Sequence, residues 1–149
     1  MSAISSRMVA SEEVVLNALT NLKNGKTEQA IARFANEFRF KDHGLGLEFK
    51  DKHRLAEFFQ KTQEFYPDSF LQTDTIFLSG DHVTTEWTLQ ALLTAPFYGE
   101  LTRKVRVSLN GISLVRTENG LITNWVDYYD GRTSRRTALA SYFTGSIEL

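Results

Sequence analysis

The stretch Gly120-Leu-Ile-Thr-Asn-Trp-Val-Asp-Tyr-Tyr-Asp130 decides the fold, and it predicts the last strand of a curved antiparallel sheet. It follows a hairpin turn that Asn119-Gly120 signals. Because side chains alternate along a strand, Trp125, Asp127 and Tyr129 fall on one face. A carboxylate between two aromatic side chains on one face indicates a charged group in the wall of an apolar cavity.

The composition is that of a single globular domain. The chain has 149 residues, of which 42% are hydrophobic and 23% are charged, and this is enough for one core. Its formal net charge of −1 argues against binding to nucleic acid or to an anionic membrane, because both demand a concentrated basic patch. No apolar run approaches the roughly 20 residues of a membrane span. We expect one domain over residues 11–149.

Cysteine is absent from the chain, which excludes disulfides and thiol catalysis and is compatible with a reducing compartment. The first ten residues, Met1–Ala10, contain no continuous hydrophobic segment, so we expect no secretory signal. They are predicted to form a short disordered lead, and the location is predicted to be cytoplasmic.

Before the last strand, the spacing of apolar residues changes from helical to alternating. Ser11, Thr27 and Asp51 are candidate N-caps, and apolar residues recur after each of them at helical spacing. From Ser69 on, the pattern is that of strands. The predicted order is two helices, a strand, a third helix and four strands, over residues 11–25, 27–34, 37–42, 51–65, 70–78, 82–93, 101–117 and 120–130.

This order predicts an α+β fold with a strongly curved, mixed or antiparallel sheet covered by three helices. Such a sheet forms a cone with a central apolar pocket lined by the inward faces of the strands. Ala95–Gly99 is predicted as a loop between two long strands. The short apolar segment Leu139–Phe143 is placed to close one end of the sheet.

In its order of elements, the chain resembles the SnoaL-like, nuclear-transport-factor-like cone fold. The residues that carry the resemblance are Phe34-Ala35, the stretch from Asp42 to Phe59 (DHGLGLEFKDKHRLAEFF) and the stretch from Gly120 to Asp130. The resemblance covers residues 11–130 and implies a homodimer through the outer face of the sheet. It leaves the activity open, because this fold hosts isomerases, cyclases, epoxide hydrolases, dehydratases and non-catalytic binding modules.

The last strand is similar to that of limonene-epoxide hydrolases, which has the same Gly-x-Ile-Thr-x-Trp-x-Asp-Tyr-aromatic-Asp run. In that family the strand aspartate works with an Arg and a second Asp, and a Tyr and an Asn hold the attacking water. Asp127 matches the strand aspartate. The other four positions hold Trp87, Leu89, Phe40 and Asp42. The Asp-Arg-Asp unit cannot be assembled, which argues against epoxide hydrolysis.

SnoaL-type polyketide cyclases, which the chain also resembles, use a pocket carboxylate as general acid/base without a metal. Asp127 fits that carboxylate, and Asp42 is the second candidate catalytic residue. Apolar surroundings and a neighbouring carboxylate both raise the pKa of a carboxyl, which suits proton transfer at an enolisable carbonyl or in a ring closure. The candidate ligand-binding residues are Phe40, Trp87, Leu89, Leu109, Gly111, Trp125, Tyr129 and, at the pocket mouth, His43.

Two other interpretations stay open at this point. The same cavity could bind a small hydrophobic molecule without chemistry, or Asp127 could form a structural hydrogen bond and only shape the sheet. The three histidines are not at spacings typical of zinc ligands, and no glycine-rich phosphate loop opens a helix. We therefore expect no metal and no cofactor.

Overall fold

The computed structural model describes residues 3–94, 104–132 and 142–143, with side chains described for residues 11–92, 106–132 and 142–143. Within this part of the chain, no helix is both long enough and apolar enough to cross a membrane. The elements are α1 (Ala3–Lys23), α2 (Thr27–Ile31), β1 (Phe34–Asp42), β2 (Leu47–Phe49), α3 (Lys52–Phe65), β3 (Phe70–Ser79), β4 (His82–Thr94), β5 (Lys104–Glu118) and β6 (Leu121–Tyr129).

The strands form one sheet in the order β2-β1-β6-β5-β4-β3. β1 and β6 are parallel, and all other neighbouring strands are antiparallel. The predicted α+β fold, with a curved mixed sheet and three helices, is confirmed. Register shifts within the β1–β6, β3–β4 and β5–β6 pairs interrupt the ladder. Irregularities of this kind bend strands and increase their twist, which favours a curved sheet.

The core lies between the sheet and the helices. Asp51 caps α3 as predicted, because its Oδ1 accepts a hydrogen bond from the backbone N of Arg54 at 3.0 Å. From this start, α3 turns its apolar stripe towards the sheet, and α1 does the same with its own stripe. The buried core residues of these two helices are Val15, Ala18, Leu19, Leu55, Phe58 and Phe59.

Aromatic rings fill the centre of the core. Phe40 of β1 stacks on Trp125 of β6 with ring centroids 6.1 Å apart. On its other sides it meets Phe58 and Phe59 of α3 edge-on, at 6.1 and 5.6 Å. Such offset and edge-to-face contacts stabilise beyond the area they bury. The strand that carries Asp127 is therefore anchored to the helical layer by rings on both sides of the core.

The start of α1 differs from the prediction. The helix begins at Ala3, so the expected N-cap at Ser11 and the expected disordered lead over residues 1–10 are wrong for residues 3–10. Ser11 lies inside the helix and is buried, and its Oγ shares a hydrogen bond of 2.7 Å with Oγ1 of Thr117. A serine hydroxyl can cap a helix or form a hydrogen bond to a distant residue, and the sequence pattern does not distinguish these two roles.

The short strand β2 was not predicted from the sequence. The glycine-rich segment after Asp42 is a turn, as expected, but β2 then pairs back on β1, with Asp42 opposite Leu47. Three residues are too few to show an alternating pattern. The predicted loop Ala95–Gly99 lies outside the described residues. Of the apolar segment Leu139–Phe143, residues 139–141 also lie outside, and the ring of Phe143 packs on Phe49 and Phe58.

Two glycines allow close approach at the turn after β1: Gly44 to the ring of Tyr129, and Gly131 to the backbone of Gly44. A Cβ atom built on Gly44 would lie 2.1 Å from Cε2 and Cζ of Tyr129, and one built on Gly131 would lie 1.7 Å from the carbonyl oxygen of Gly44. The ring of Tyr129 therefore rests directly on backbone. This contact holds the tyrosine at the end of β6.

Substituting Gly44→Ala is expected to destabilise the protein by about 1–3 kcal/mol, because the added methyl group must displace the ring of Tyr129 or the turn. Equilibrium urea denaturation measures the change. Gly46→Asn is the matched control: Gly46 lies in the same turn at φ +71° with open space around it, and Asn tolerates this conformation. Equal loss of stability in the two variants would show that turn flexibility, and not the contact with Tyr129, decides the effect.

Candidate active site

A cavity of about 530 Å³ lies between the sheet and the helices α1 and α3. This volume is in the range of small-molecule sites. The strands contribute eight of the ten predicted site residues to its lining: Phe40, Asp42, Trp87, Leu89, Leu109, Trp125, Asp127 and Tyr129. The helices and the turn after α3 contribute residues that the strand pattern did not suggest: Leu19, Leu22, Lys23, Asn24, Phe58, Phe59, Thr62, Gln63, Tyr66, Pro67 and Ser69.

The register of the sheet brings three polar residues side by side in this wall. Asp127 of β6 lies opposite Asp42 of the parallel strand β1 and opposite Ser113 of the antiparallel strand β5. Ser113 is buried and lines the cavity. Ser113 is not among the predicted site residues, although the two-residue period places it on the same face as Leu109 and Gly111.

Asp127 receives two hydrogen bonds on one carboxylate oxygen. Its Oδ1 accepts a hydrogen bond from Nε1 of Trp125 at 2.7 Å, and a second from the hydroxyl of Ser113. The oxygen of Ser113 in turn accepts a hydrogen bond from Nε1 of Trp87 at 2.8 Å. The two tryptophans of the chain therefore both point their N–H groups towards this carboxylate, one directly and one through a serine.

Asp42 has a different set of partners. It is buried, and its Oδ1 accepts a hydrogen bond from the backbone N of Leu45 at 2.8 Å, within the turn that follows β1. The hydroxyl of Tyr129 and the backbone of Gly44 also form hydrogen bonds with it. Burial raises the pKa of Asp42 above its usual range, and these hydrogen bonds oppose the rise.

Asp127 holds its proton up to neutral pH. Burial, and after it the negative charge of Asp42, raise its pKa to about 7 against the opposing effect of the hydrogen bonds from Ser113 and Trp125. Burial also raises the pKa of Tyr129 well above its usual value, so the phenol stays protonated. The arrangement is a pair of facing carboxyls, one of which exchanges a proton near pH 7 inside an apolar cavity.

Two predicted ligand-binding residues do not line the cavity. The site of Gly111 is covered by Trp87, since a Cβ on Gly111 would lie 2.3 Å from Cζ2 of the indole. Gly111 is thus a position of close approach by a side chain. The prediction that His43 reaches the pocket mouth is wrong, because its ring stacks on Tyr128 of the outer face at 4.3 Å. His43 follows Asp42 directly, and consecutive side chains point to opposite faces.

Within the described residues, no three histidine, aspartate or glutamate side chains converge in a way that could hold a metal ion. What the arrangement offers is a titrating carboxyl, hydrogen-bond donors and an apolar wall.

By its fold, the chain is one of the cone-shaped α+β proteins, and its cavity holds a pair of carboxyls. The family model of the SnoaL-like polyketide cyclases matches residues 13–137. The chain therefore belongs to the SnoaL-like family. The comparison with curated proteins found no match.

Solved structures agree with this assignment at the level of the fold. A protein named as a SnoaL-like polyketide cyclase, from Jannaschia sp. CCS1, superposes with a TM-score of 0.75 at 17% identity, over 94% of this chain and 96% of that one. TerC, co-crystallised with polyporic acid, gives 0.70 at 14% identity over 84% and 95%. A protein with a ketosteroid isomerase-like fold from Catenulispora acidiphila DSM 44928, in complex with trimethylamine, gives 0.68 at 20% identity over 79% and 85%.

The raised pKa of Asp127 predicts how stability depends on pH. Between the usual aspartate pKa and about 7, the folded protein holds a proton that the unfolded chain has released. The free energy of unfolding therefore falls as pH rises through this window. The Asp127→Asn variant has no carboxyl at this position, so its free energy of unfolding lacks this pH dependence. Relative to the wild type, the variant should therefore become more stable as pH rises from 5 to 7.

Urea denaturation at several pH values measures this dependence. Asp68→Asn, an exposed carboxylate outside the cavity lining, is the matched control and should follow the wild type at every pH. Parallel curves for the wild type and Asp127→Asn would contradict the raised pKa.

Proposed function

We propose that this SnoaL-like protein is a cofactor-independent enzyme of the isomerase or cyclase type that acts on a small hydrophobic carbonyl or cyclic compound. Asp127 is its general acid/base. The observation that carries the proposal is the position of this carboxyl, which titrates near neutral pH at the polar part of an otherwise apolar cavity. A catalytic acid/base works best when its pKa lies close to the working pH.

The chemistry follows from the two protonation states of Asp127. The carboxylate takes a proton from the carbon next to the substrate carbonyl, and the electron pair of that C–H bond forms an enolate. The protonated Asp127 then returns the proton, either to another carbon of the conjugated system in an isomerisation or to the new alkoxide after ring closure. In both cases the enzyme ends in its starting state.

The neighbouring groups support this cycle. Asp42, with its hydrogen bonds from Leu45 and Tyr129, is a second polar group beside the reacting one. Its negative charge keeps Asp127 basic enough to accept a proton. Trp125 and Tyr129 form flat apolar walls that suit a ring.

The structural relatives support occupancy of such a cavity by small molecules, since TerC was crystallised with polyporic acid and the Catenulispora acidiphila protein with trimethylamine. The absence of cysteine suits a reducing compartment, and a cytoplasmic location is part of the proposal. The alternative is a binding module of the same fold, in which the cavity holds a hydrophobic ligand that leaves unchanged.

Asp127→Asn is expected to lower kcat by roughly 10²–10⁴-fold, because it removes the general acid/base while keeping the shape of the side chain. The substrate for this assay comes from native mass spectrometry of the purified protein and from a thermal-shift screen of cyclic carbonyl compounds. Each compound that binds is incubated with wild type and variant, and product is followed by chromatography.

Asp130→Asn is the matched control, because Asp130 follows the same strand but is exposed and pairs with Arg132 at 2.7 Å. It should keep full activity. Equal turnover by wild type and Asp127→Asn would refute the acid/base role. Binding compounds that are all recovered unchanged would favour the binding module.

We also propose that the protein forms a homodimer through the outer face of its sheet. Large apolar side chains of the described strands lie exposed there, among them Ile112 and Leu114, each 42% exposed, Tyr128 at 47% and Phe77 at 55%. Their strands pair directly, with Leu114 opposite Thr84 and Ile112 opposite Tyr128. A broad apolar face on a sheet whose other face is already covered is suited to a second copy of itself.

Ile112→Glu is expected to convert this dimer to a monomer, because the two-fold axis brings the same surface of both copies together and buries the added charges. Analytical ultracentrifugation measures the mass. Leu16→Glu is the matched control, since Leu16 is an exposed apolar residue of α1 and not of the sheet. A wild-type protein that sediments as a monomer at all concentrations would refute the proposed dimer.

A further inference from the structure

The two oxygens of the Asp127 carboxyl are in different surroundings. Oδ1 accepts hydrogen bonds from Trp125 and from Ser113. No hydrogen bond to Oδ2 is formed by any of the residues that the structure describes. A carboxyl that is held by one oxygen has its other oxygen available for a ligand. The hydrogen bonds to Oδ1 therefore favour Oδ2 as the oxygen that carries the proton.

The direction of the hydrogen bonds around Ser113 is fixed by Trp87. An indole N–H can only donate, so the oxygen of Ser113 accepts from Nε1 of Trp87. The single hydroxyl hydrogen of Ser113 is then free to point at Oδ1 of Asp127. The indole therefore occupies an acceptor position of the Ser113 oxygen and leaves its hydrogen for the carboxylate. Trp87 thus orients a group that it shares with Asp127.

Gly111 leaves room for the indole of Trp87 beside the backbone of β5. Gly111 lies opposite Trp87 on β4 and opposite Tyr129 on β6. Any side chain on Gly111 would collide with the indole, since a Cβ would lie 2.3 Å from Cζ2 and 2.8 Å from Cε2 of the ring. The ring therefore lies flat against β5, and its N–H reaches Ser113 two residues along the same strand.

We propose that Trp87 and Ser113 form a positioning relay, made possible by Gly111, that holds Oδ1 of Asp127 and leaves Oδ2 as the oxygen that exchanges a proton with the ligand. Trp87 and Ser113 are positioning residues, because both act through Asp127. The inference rests on the proposed function for its catalytic consequence. Its structural content, the fixed orientation of the carboxyl, can be tested without any substrate.

A fixed carboxyl matters because proton transfer is sensitive to geometry. A misplacement of about 1 Å can lower a rate on the order of 10²-fold. Trp125 alone donates one hydrogen bond, about which the carboxyl can still pivot. A second donor on the same oxygen, from a different strand, removes this freedom. The relay also stabilises the charged form, since a donor to a carboxylate favours ionisation.

The test is a ¹³C NMR titration of the aspartate carboxyls, with the Asp127 resonance assigned from its loss in Asp127→Asn. Ser113→Ala removes the donor to Oδ1 and should raise the pKa of Asp127 by about one pH unit, the effect of losing one hydrogen bond to a charged group. Trp87→Phe replaces the indole by a smaller aromatic ring without an N–H, and it should raise this pKa by a smaller amount. Ser113→Thr keeps the hydroxyl and should restore the wild-type value.

Thr85→Val is the matched control. Thr85 lies opposite Ser113 on β4, is fully buried, and its hydroxyl has no hydrogen-bond partner among the described residues. Removing that hydroxyl should leave the pKa of Asp127 unchanged. Where a substrate is found, Ser113→Ala should lower kcat by about tenfold or more with little change in KM, and it should move the acid limb of the pH profile upwards.

The outcomes separate this inference from the proposed function. An unchanged pKa of Asp127 in Ser113→Ala, or an equal rise in Thr85→Val, would overturn the relay whether or not the protein is an enzyme. The expected pKa changes, without turnover of any bound compound by the wild type, would support the relay and refute the catalytic proposal. A folded Ser113→Ala with the expected pKa change and an unaltered kcat would refute the positioning role.

Discussion

The parallel pairing of β1 with β6 is the constraint on which the candidate site depends. In this register Asp42 faces Asp127, and neighbouring strands are separated by only about 4.8 Å. Two carboxyls on adjacent strands in an apolar cavity disfavour each other's ionisation. Burial of Asp127, together with the charge of Asp42 that this register places beside it, raises the pKa of Asp127 to about 7.

Close contacts between aromatic rings and glycines turn this pair into a defined geometry. The ring of Tyr129 rests on Gly44, and its hydroxyl forms a hydrogen bond with Asp42. The ring of Trp87 rests on Gly111, and its N–H leads through Ser113 to Asp127. Each carboxyl is thus oriented by an aromatic residue that approaches the backbone where no side chain intervenes. Packing and hydrogen bonding act on the same two rings.

Many of the cavity-facing and buried residues could be predicted from the sequence, because side chains repeat every two residues along a strand and every 3.6 residues along a helix. Alternation along β6 places Trp125, Asp127 and Tyr129 on the cavity face, and the helical stripe of α3 predicts its buried side. What escaped prediction depends on the pairing between strands. The partnership of Ser113 with Asp127 follows from the β5–β6 register, which a single strand pattern does not contain. For the same reason, the sequence offered no sign that Ser11 would meet Thr117 rather than cap a helix.

The pKa of Asp127 is shifted in the direction opposite to that of a carboxyl whose charge stabilises the fold. A carboxyl that serves the fold is expected to have its charged form stabilised, with a lowered pKa, as the exposed Glu48 does through Arg39. Asp127 shows the reverse: burial disfavours its charged form, its neighbour Asp42 disfavours it further, and two donors on Oδ1 only partly offset both effects. At neutral pH this carboxyl therefore opposes folding, whereas a neutral amide of the same shape in its place would avoid most of that penalty. A carboxyl that weakens the fold, accepts hydrogen bonds from two donors and lines an apolar cavity is what the proposed general acid/base requires.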